Sequence, residues 1–380
     1  MNLSLTEEQL LLRDSARRFL REQYSFDVRR QRLGDRGMGG ELWTQFANMG
    51  WLAMSLDEEL GGSGAGPVEI ALLCEELGRV LALEPFVDSI VLAGSLLQAM
   101  PSTQLRDDLL RGLGAGEIVI AVAVLEPGAR YAGAAGGVVA GLTSEGCTEL
   151  TGRKILVRGG GEADMVIVAA VPPEGNPGDL GLYLVTMHGD SCARRTYSTV
   201  DGCEVADLSF DRTAAVDLAG GPMSAAAILD EALDRATVAL CAEAVGCMEA
   251  VIELTAVHLR TRKQFGKTLG SFQALQHRMA EMHVECEYAR AMIYKGLQSL
   301  TLPADERQKG VSAAKIRVCQ AGLEVGAQGI QLHGGIGMTE EYPVGHYYRR
   351  LLVIEKTYGD LAHHFGRFEA RSPLIEAQRQ

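Results

Sequence analysis

Apolar and polar positions follow different rhythms along the 380 residues of this chain. From Thr6 to about Arg111 apolar residues recur every three to four positions. In TEEQLLLRDSARRFL, Leu10, Leu11, Ala16, Phe19 and Leu20 fall on roughly one helical face. Thr6, followed by Glu8 and Gln9, predicts a helix start. Pro67 is placed to open the helix PVEIALLCEELGRVL after the loop LGGSGAGP. No strand precedes that glycine loop and no Lys-Ser/Thr follows it, so it reads as a plain connection. Between Glu117 and about Phe210 the rhythm shortens to β-branched runs (EIVIAVAV, GVVAGL, KILVR, DMVIVAAV, LGLYLVTM, VADLSF) separated by Gly, Pro and Asp. No helix-length segment intervenes, which predicts an all-β module of barrel or sandwich type. From Ala225 the chain is helical again, over about 225–260, 271–300, 305–332, 339–352 and from about 358. Such long helices, with small and apolar residues throughout, predict a bundle buried against other copies as well as its own domain. The expected architecture is α+β, with a helical domain over 1–115, a β domain over 116–220 and long helices over 221–380.

One interruption in the last block carries chemistry. RKQFGKTLGSFQALQHRMAEM (262–282) is a helix broken near its start by an Arg, an amide, a Phe, two Gly and then Phe-Gln. A basic, amide-bearing turn presents a cation and hydrogen-bond donors outward, which suits an anion such as a pyrophosphate.

Charge and composition narrow the class further. The net charge of -13 argues against binding a nucleic-acid backbone. No apolar run is long enough for a membrane span, and MNLSLTEEQLLLRDSARRF lacks the pattern of a secretory signal. Eight scattered cysteines without a CxxC pair favour free thiols in a reducing, cytoplasmic setting. Eight histidines include no HExxH and no Cys/His spacing set, so no metal site is expected.

Helices, then a β-module, then a bundle carrying RKQFGKTLGSFQ and QLHGGIGMTEEYPV resemble the acyl-CoA dehydrogenase family of flavoproteins over essentially the whole chain. GWLAMSLDEELGGSGAGPVEIALLCEELGRVLALEPF near the N-terminus is similar to that family as well. The resemblance implies a C-terminal four-helix bundle and FAD as cofactor, with the two motifs binding the ADP half of an FAD that belongs mainly to a neighbouring subunit. Arg262 would then contact the pyrophosphate, and Gln264, Phe265, Leu269, Phe272 and Gln273 would line the adenosine end. Gln331, Gly334 and Gly335 would let backbone approach the nucleotide.

Other family motifs are altered. Typical members hold the flavin ring through TEPxxGSD and GxKxWITNG, where this chain has LEPGARYAG and GRKILVRGG. Glu126, Pro127, Gly152 and Lys154 match, but the hydroxyl residue is Leu125, the flanking Trp is Leu156 and the Thr serving the flavin edge is Arg158. Family members take the α-proton of the acyl thioester with a Glu. Its two known positions fall here on Tyr358, counted from Pro343, and on Ala236, counted back from Gly246 and Arg262. A phenol, with an ordinary pKa near 10, is a poor substitute for a carboxylate. The nearby Glu231, Asp234, Glu243, Glu355 and Asp360 read as packing or solvated charges.

The pattern resembles the small subunit of pimeloyl-CoA dehydrogenase-type enzymes and the mixed-subunit dehydrogenases of steroid side-chain breakdown; Arg130 and Tyr131 match the small-subunit type. It implies an α2β2 heteromer with a paralogous subunit that supplies the flavin contacts and the catalytic Glu. Its substrate would be an acyl-CoA and its electron acceptor an electron-transfer flavoprotein. Three alternatives stay open: a homotetramer with a relocated base such as Glu243 or Glu355, a flavin oxidase or monooxygenase, and a flavin-free binding subunit.

Overall fold

A computed structural model of the chain describes residues 5–34, 40–131, 136–176, 178–188, 192–218 and 224–372. Helices α1 (Glu7–Gln23), α2 (Phe26–Gly34), α3 (Glu41–Asn48) and α4 (Pro67–Val80) come first. A π-helical stretch, Phe86–Ala93, runs into α5 (Gly94–Gln98), and α6 (Gln104–Ala115) follows. Strands β1 (Ile120–Ala123), β2 (Val138–Leu142), β3 (Thr148–Arg158), β4 (Met165–Ala170), β5 (Gly181–Thr186), β6 (Cys192–Ser198) and β7 (Glu204–Asp217) make the middle of the chain. The rest comprises α7 (Ala225–Thr261), the two-residue strands β8 (Lys263–Gln264) and β9 (Lys267–Thr268), then α8 (Gln273–Ser299), α9 (Ala304–His333), α10 (Val344–Lys356) and α11 (Leu361–Glu369). Two compact units divide these elements: Met1–Asp35, Pro67–Ala82 and Thr237–Gln380 form one, Arg36–Gly66 and Leu83–Ala236 the other.

Local chemistry explains the helix ends. The Thr6 hydroxyl accepts from Gln9 N–H while the Gln9 side chain accepts from Thr6 N–H, a reciprocal cap that starts α1. Pro67 opens α4 as expected. In the helical unit, α4 and α7 cross backbone to backbone. A Cβ on Gly78 would sit 2.0 Å from Glu243 O, and one on Gly246 1.9 Å from Glu75 O. Charges lock this crossing: Arg79 bonds Glu249 and Glu253, Arg290 reaches Glu75 at 2.6 Å, and Arg17 takes Glu76 in a fork at 2.7 and 3.0 Å. Helix α9 packs along α8, α10 and α11. Its buried Lys315 donates to Ile354 O and Thr357 O at 2.6 and 2.9 Å, satisfying carbonyls at the end of α10.

In the second unit the strands pair in the order β1-β4-β5-β7-β3-β2, with β6 on a further edge of β7. β1 runs parallel to β4, and the other strand pairs are antiparallel. The sheet curls until β2 meets Val171, just past β4, with Ala140 N–H to Val171 O at 2.8 Å and Val171 N–H to Val138 O at 3.0 Å. That contact curls the sheet around Val138, Leu150, Val166, Val168, Tyr183, Leu208 and Phe210, the barrel-like of the two forms expected.

Several expectations need correction. Leu10 and Leu11 are exposed, Leu11 by 71 %, so only Ala16 and Leu20 of that face are buried. The segment after 339 begins as a turn and becomes helical only at Val344, and the last helix starts at Leu361. Strand β6 (CARRTYS) went unforeseen because as an edge strand it carries polar residues.

Candidate functional site

The break at 262–272 contains a β-hairpin two residue pairs deep. Lys263 pairs with Thr268 and Gln264 with Lys267 around Phe265 and Gly266, whose φ values are +51° and +78°. Positive φ at both central residues defines a type I′ turn, the form whose twist matches a hairpin. Gly266 adopts it freely. Phe265 does so under strain while 87 % exposed, its ring edge-on to Phe272 at 6.2 Å. The Lys267 ammonium lies 4.2 Å over the Phe272 ring, and Leu269 N–H returns to Arg262 O at 2.9 Å. Leu269 and Phe272 are half-buried, whereas Gln264 and Gln273 are exposed. The exposed Arg262 side chain has no hydrogen bond or ion pair among the described residues.

The second motif lies at the end of α9. Gln331, Gly334 and Gly335 are exposed. A Cβ on Gly334 or Gly335 would meet nothing within 4 Å, so packing inside this chain does not call for glycine at 335; the φ of +66° does at 334. Glycine with open space before it suits backbone laid against an external group, and the ADP half of FAD fits. Two histidines bring the motifs together. His258, one turn before Arg262, stacks on His333 with ring centroids 4.6 Å apart. His333 Nδ1 lies 2.7 Å from Gly329 O and its Nε2 3.2 Å from the Tyr342 hydroxyl. Burial lowers the pKa of His333. Burial, His333 and the charge of Arg262 together lower that of His258.

The residues expected to hold a flavin ring lie in the other unit, and they do not fit one. Lys154 and Glu126, 0 % and 1 % exposed, form an ion pair at 2.8 Å, and Glu126 also accepts from Gly137 N–H at 2.8 Å. Gly152 has φ +137° and faces Gly137 O. The motif positions this chain keeps are therefore the ones that hold β2, β3 and the loop after β1 together. Of those that differ, Leu156 offers no polar group and Arg158 is bound within the chain. Leu156, with φ +53° at a bulge in β3, is 42 % exposed and offers an alkyl group. Arg158 bonds Asp88 through Nε at 3.1 and 3.2 Å. Asp88 is buried in the π-helical stretch and was missed in the sequence, where the available signal was one carboxylate inside the apolar run PFVDSIVLA. The end of LEPGARYAG, 132–133, lies outside the described residues.

At the two base positions stand Ala236, fully buried, and Tyr358, half-buried with φ +58°. Neighbouring carboxylates are engaged. Glu243 takes Arg350 in a buried fork at 2.6 and 2.9 Å, and Glu231 pairs with Arg235 at 2.9 Å. Glu355 accepts from Leu361 N–H, Asp360 caps α11 at His363 N–H, and Asp234 is fully buried and partnered. Among the described residues no His/Cys/Asp/Glu group could hold a metal ion, and no helix is long and apolar enough to cross a membrane.

Comparisons with known proteins agree with this architecture. The model of the acyl-CoA dehydrogenase N-terminal domain matches residues 6–117, and that of the C-terminal domain residues 225–364. The acyl-CoA dehydrogenase IpdE2 of Mycobacterium tuberculosis is 28% identical over 325 residues, covering 85% of this chain and 84% of that protein. A solved variant of the steroid acyl-CoA dehydrogenase Tcur3481-Tcur3483 is 29% identical with a TM-score of 0.83, covering 98% and 99% of the two chains. The ChsE4-ChsE5 complex from Mycobacterium tuberculosis is 25% identical with a TM-score of 0.83, covering 97% and 98%. With both terminal domains matched and the fold shared end to end, this chain belongs to the acyl-CoA dehydrogenase family, whose cofactor is FAD.

Proposed function

We propose that this chain is the non-catalytic subunit of a heteromeric acyl-CoA dehydrogenase, completing the FAD site of a paralogous partner. One observation carries the reading. The hairpin that would meet the ADP half of FAD is intact and its Arg262 open, while Arg158, at a flavin-edge position, is committed to Asp88. Arg262 supplies a planar donor fork for the pyrophosphate. Gln264, Phe265, Leu269, Phe272 and Gln273 line the adenosine end, and the backbone at Gly334 and Gly335, beside Gln331, lies against the nucleotide. When bound, FAD supplies the two-electron acceptor for α,β-dehydrogenation of the acyl-CoA. The base comes from the partner, since Tyr358 and Ala236 stand where this chain would carry it. Two solved relatives named as paired chains, ChsE4-ChsE5 and Tcur3481-Tcur3483, support a mixed assembly, which we assign as α2β2, with an electron-transfer flavoprotein accepting the electrons in the cytoplasm.

Flavin content tests this. Purified alone, the chain should carry little FAD by absorbance; co-expressed with a paralogue that has the complete ring-binding motifs and the Glu, it should yield about one FAD per heterodimer. Stoichiometric FAD in the chain purified alone overturns the heteromer.

A further inference from the structure

A pyrophosphate docked at Arg262 would keep one charge unbalanced by that side chain. A pyrophosphate diester carries two negative charges, and one guanidinium neutralises one of them. Arg262 is the first residue after α7, and its N–H donates to His258 O at 2.9 Å, which continues the helical turn and sets Arg262 one turn beyond His258. A helix C-terminus favours a cation there. His258 is nevertheless held toward the neutral form by partial burial, by His333 stacked against it and by the charge of Arg262.

Its stacking neighbour has its nitrogens occupied. With Nδ1 2.7 Å from a carbonyl, His333 donates that proton to Gly329 O, which leaves Nε2 to accept from Tyr342. Leu254 O also faces the His333 ring, and burial outweighs both carbonyls in disfavouring its charge; because His333 is buried and His258 only half-buried, a proton arriving at this pair is better solvated on His258. Other groups around the site do not compete. Among the described residues Tyr342 meets the stack through His333, Lys267 lies on Phe272, Lys263 is exposed, and Arg260 bonds Ala256 O at 3.1 Å. No carboxylate is hydrogen-bonded or ion-paired to His258 among the described residues.

We propose that His258 is a second, proton-switched contact of the pyrophosphate site, its imidazole taking a proton from solvent as the anion docks on Arg262. The proton gained balances the second phosphate charge, and no other bond changes. This rests on the ADP-site reading above and extends it by one residue.

The probe is ADP-ribose, whose pyrophosphate diester keeps a constant charge near neutrality, titrated calorimetrically into the flavin-stripped heteromer in buffers of different ionisation enthalpy. Binding should take up a fraction of a proton near pH 7 and tighten about five- to ten-fold between pH of about 8 and 6. His258→Gln should abolish the uptake and flatten the pH dependence. His258→Lys, with a fixed charge, should flatten it at the tighter level. Circular dichroism confirms that both variants fold. No proton uptake in the wild type, or uptake undiminished in His258→Gln, overturns the role of His258 alone. Equal binding by wild type and Arg262→Ala overturns the ADP-site reading itself, and ADP-ribose that fails to bind the flavin-stripped heteromer overturns both.

Discussion

Lys154 and Glu126 separate two reasons for keeping a residue. Both match the family's flavin-binding motifs, yet both lie buried against each other, with Lys154 Nζ also 3.0 Å from Val124 O. Burial pulls the Lys154 pKa down, and only the hydrogen bond and charge of Glu126 pull it back. Removing one member of such a pair strands the other in a medium that does not solvate it. Lys154→Met should therefore lower the unfolding free energy by about 3–5 kcal/mol, and Lys154→Met with Glu126→Leu should regain more than half of that. Denaturant unfolding measures both. If the double variant is no more stable than the single one, the pair is not what holds this corner of the barrel. Leu125, Leu156 and Arg158 differ from the family motifs, and of these Arg158 is bound within the chain, to Asp88. The Lys154–Glu126 pair shows that a matched motif position can be kept for the scaffold's own sake.

Among the elements, α4 and α7 make the most demanding contact. Glycine inside a helix costs up to about 1 kcal/mol relative to alanine, so Gly246→Ala would stabilise α7 if propensity decided the outcome. The added Cβ would instead fall 1.9 Å from Glu75 O, a main-chain atom that cannot rotate away. Gly246→Ala should destabilise the chain by about 1–3 kcal/mol or more. It should also lower hydrogen-exchange protection in α4 and α7 first; unchanged stability would mean that the helices do not touch there. Crossings of this kind are illegible in a single sequence, whereas the long helices themselves were plain from periodicity sustained over many turns. The hairpin at 263–268 was legible only as an interruption, because strands of two residues are too short to show alternation. The family could be recognised from the stretches around Arg262 and Gln331 because each motif is local. The bond between Arg158 and Asp88 spans 70 residues, and the stack of His258 on His333 joins two distant helices. Neither leaves a local pattern to read.

Across the molecule, buried histidines tie stability to pH. His364 is the extreme case: burial first, then the charges of Lys315, His363 and Arg367, push it down to about 2, with Ser312 Oγ and Tyr358 O on its two nitrogens. Burial likewise lowers His346, whose nitrogens face Arg29 and Glu340 O, and also His333 and His258. In each case the unfolded chain binds the proton more readily than the folded one. The stability these groups contribute is therefore present above the ordinary histidine value near 6.5, and is lost as pH falls from there toward the folded value. His364 alone should account for about 1.4 kcal/mol per pH unit across that interval. Glu75, raised by burial, works in the opposite direction, one group against four. Equilibrium unfolding at pH of about 7.5, 6.5 and 5.5 should give a midpoint that falls with acidification, more steeply over the second step. His364→Gln, which keeps a donor and an acceptor but cannot be protonated, should flatten the slope by roughly the share of one group. A midpoint that stays level down to pH of about 5.5 would show that these histidines accept protons without unfolding. A slope unchanged in His364→Gln would move the effect to other residues.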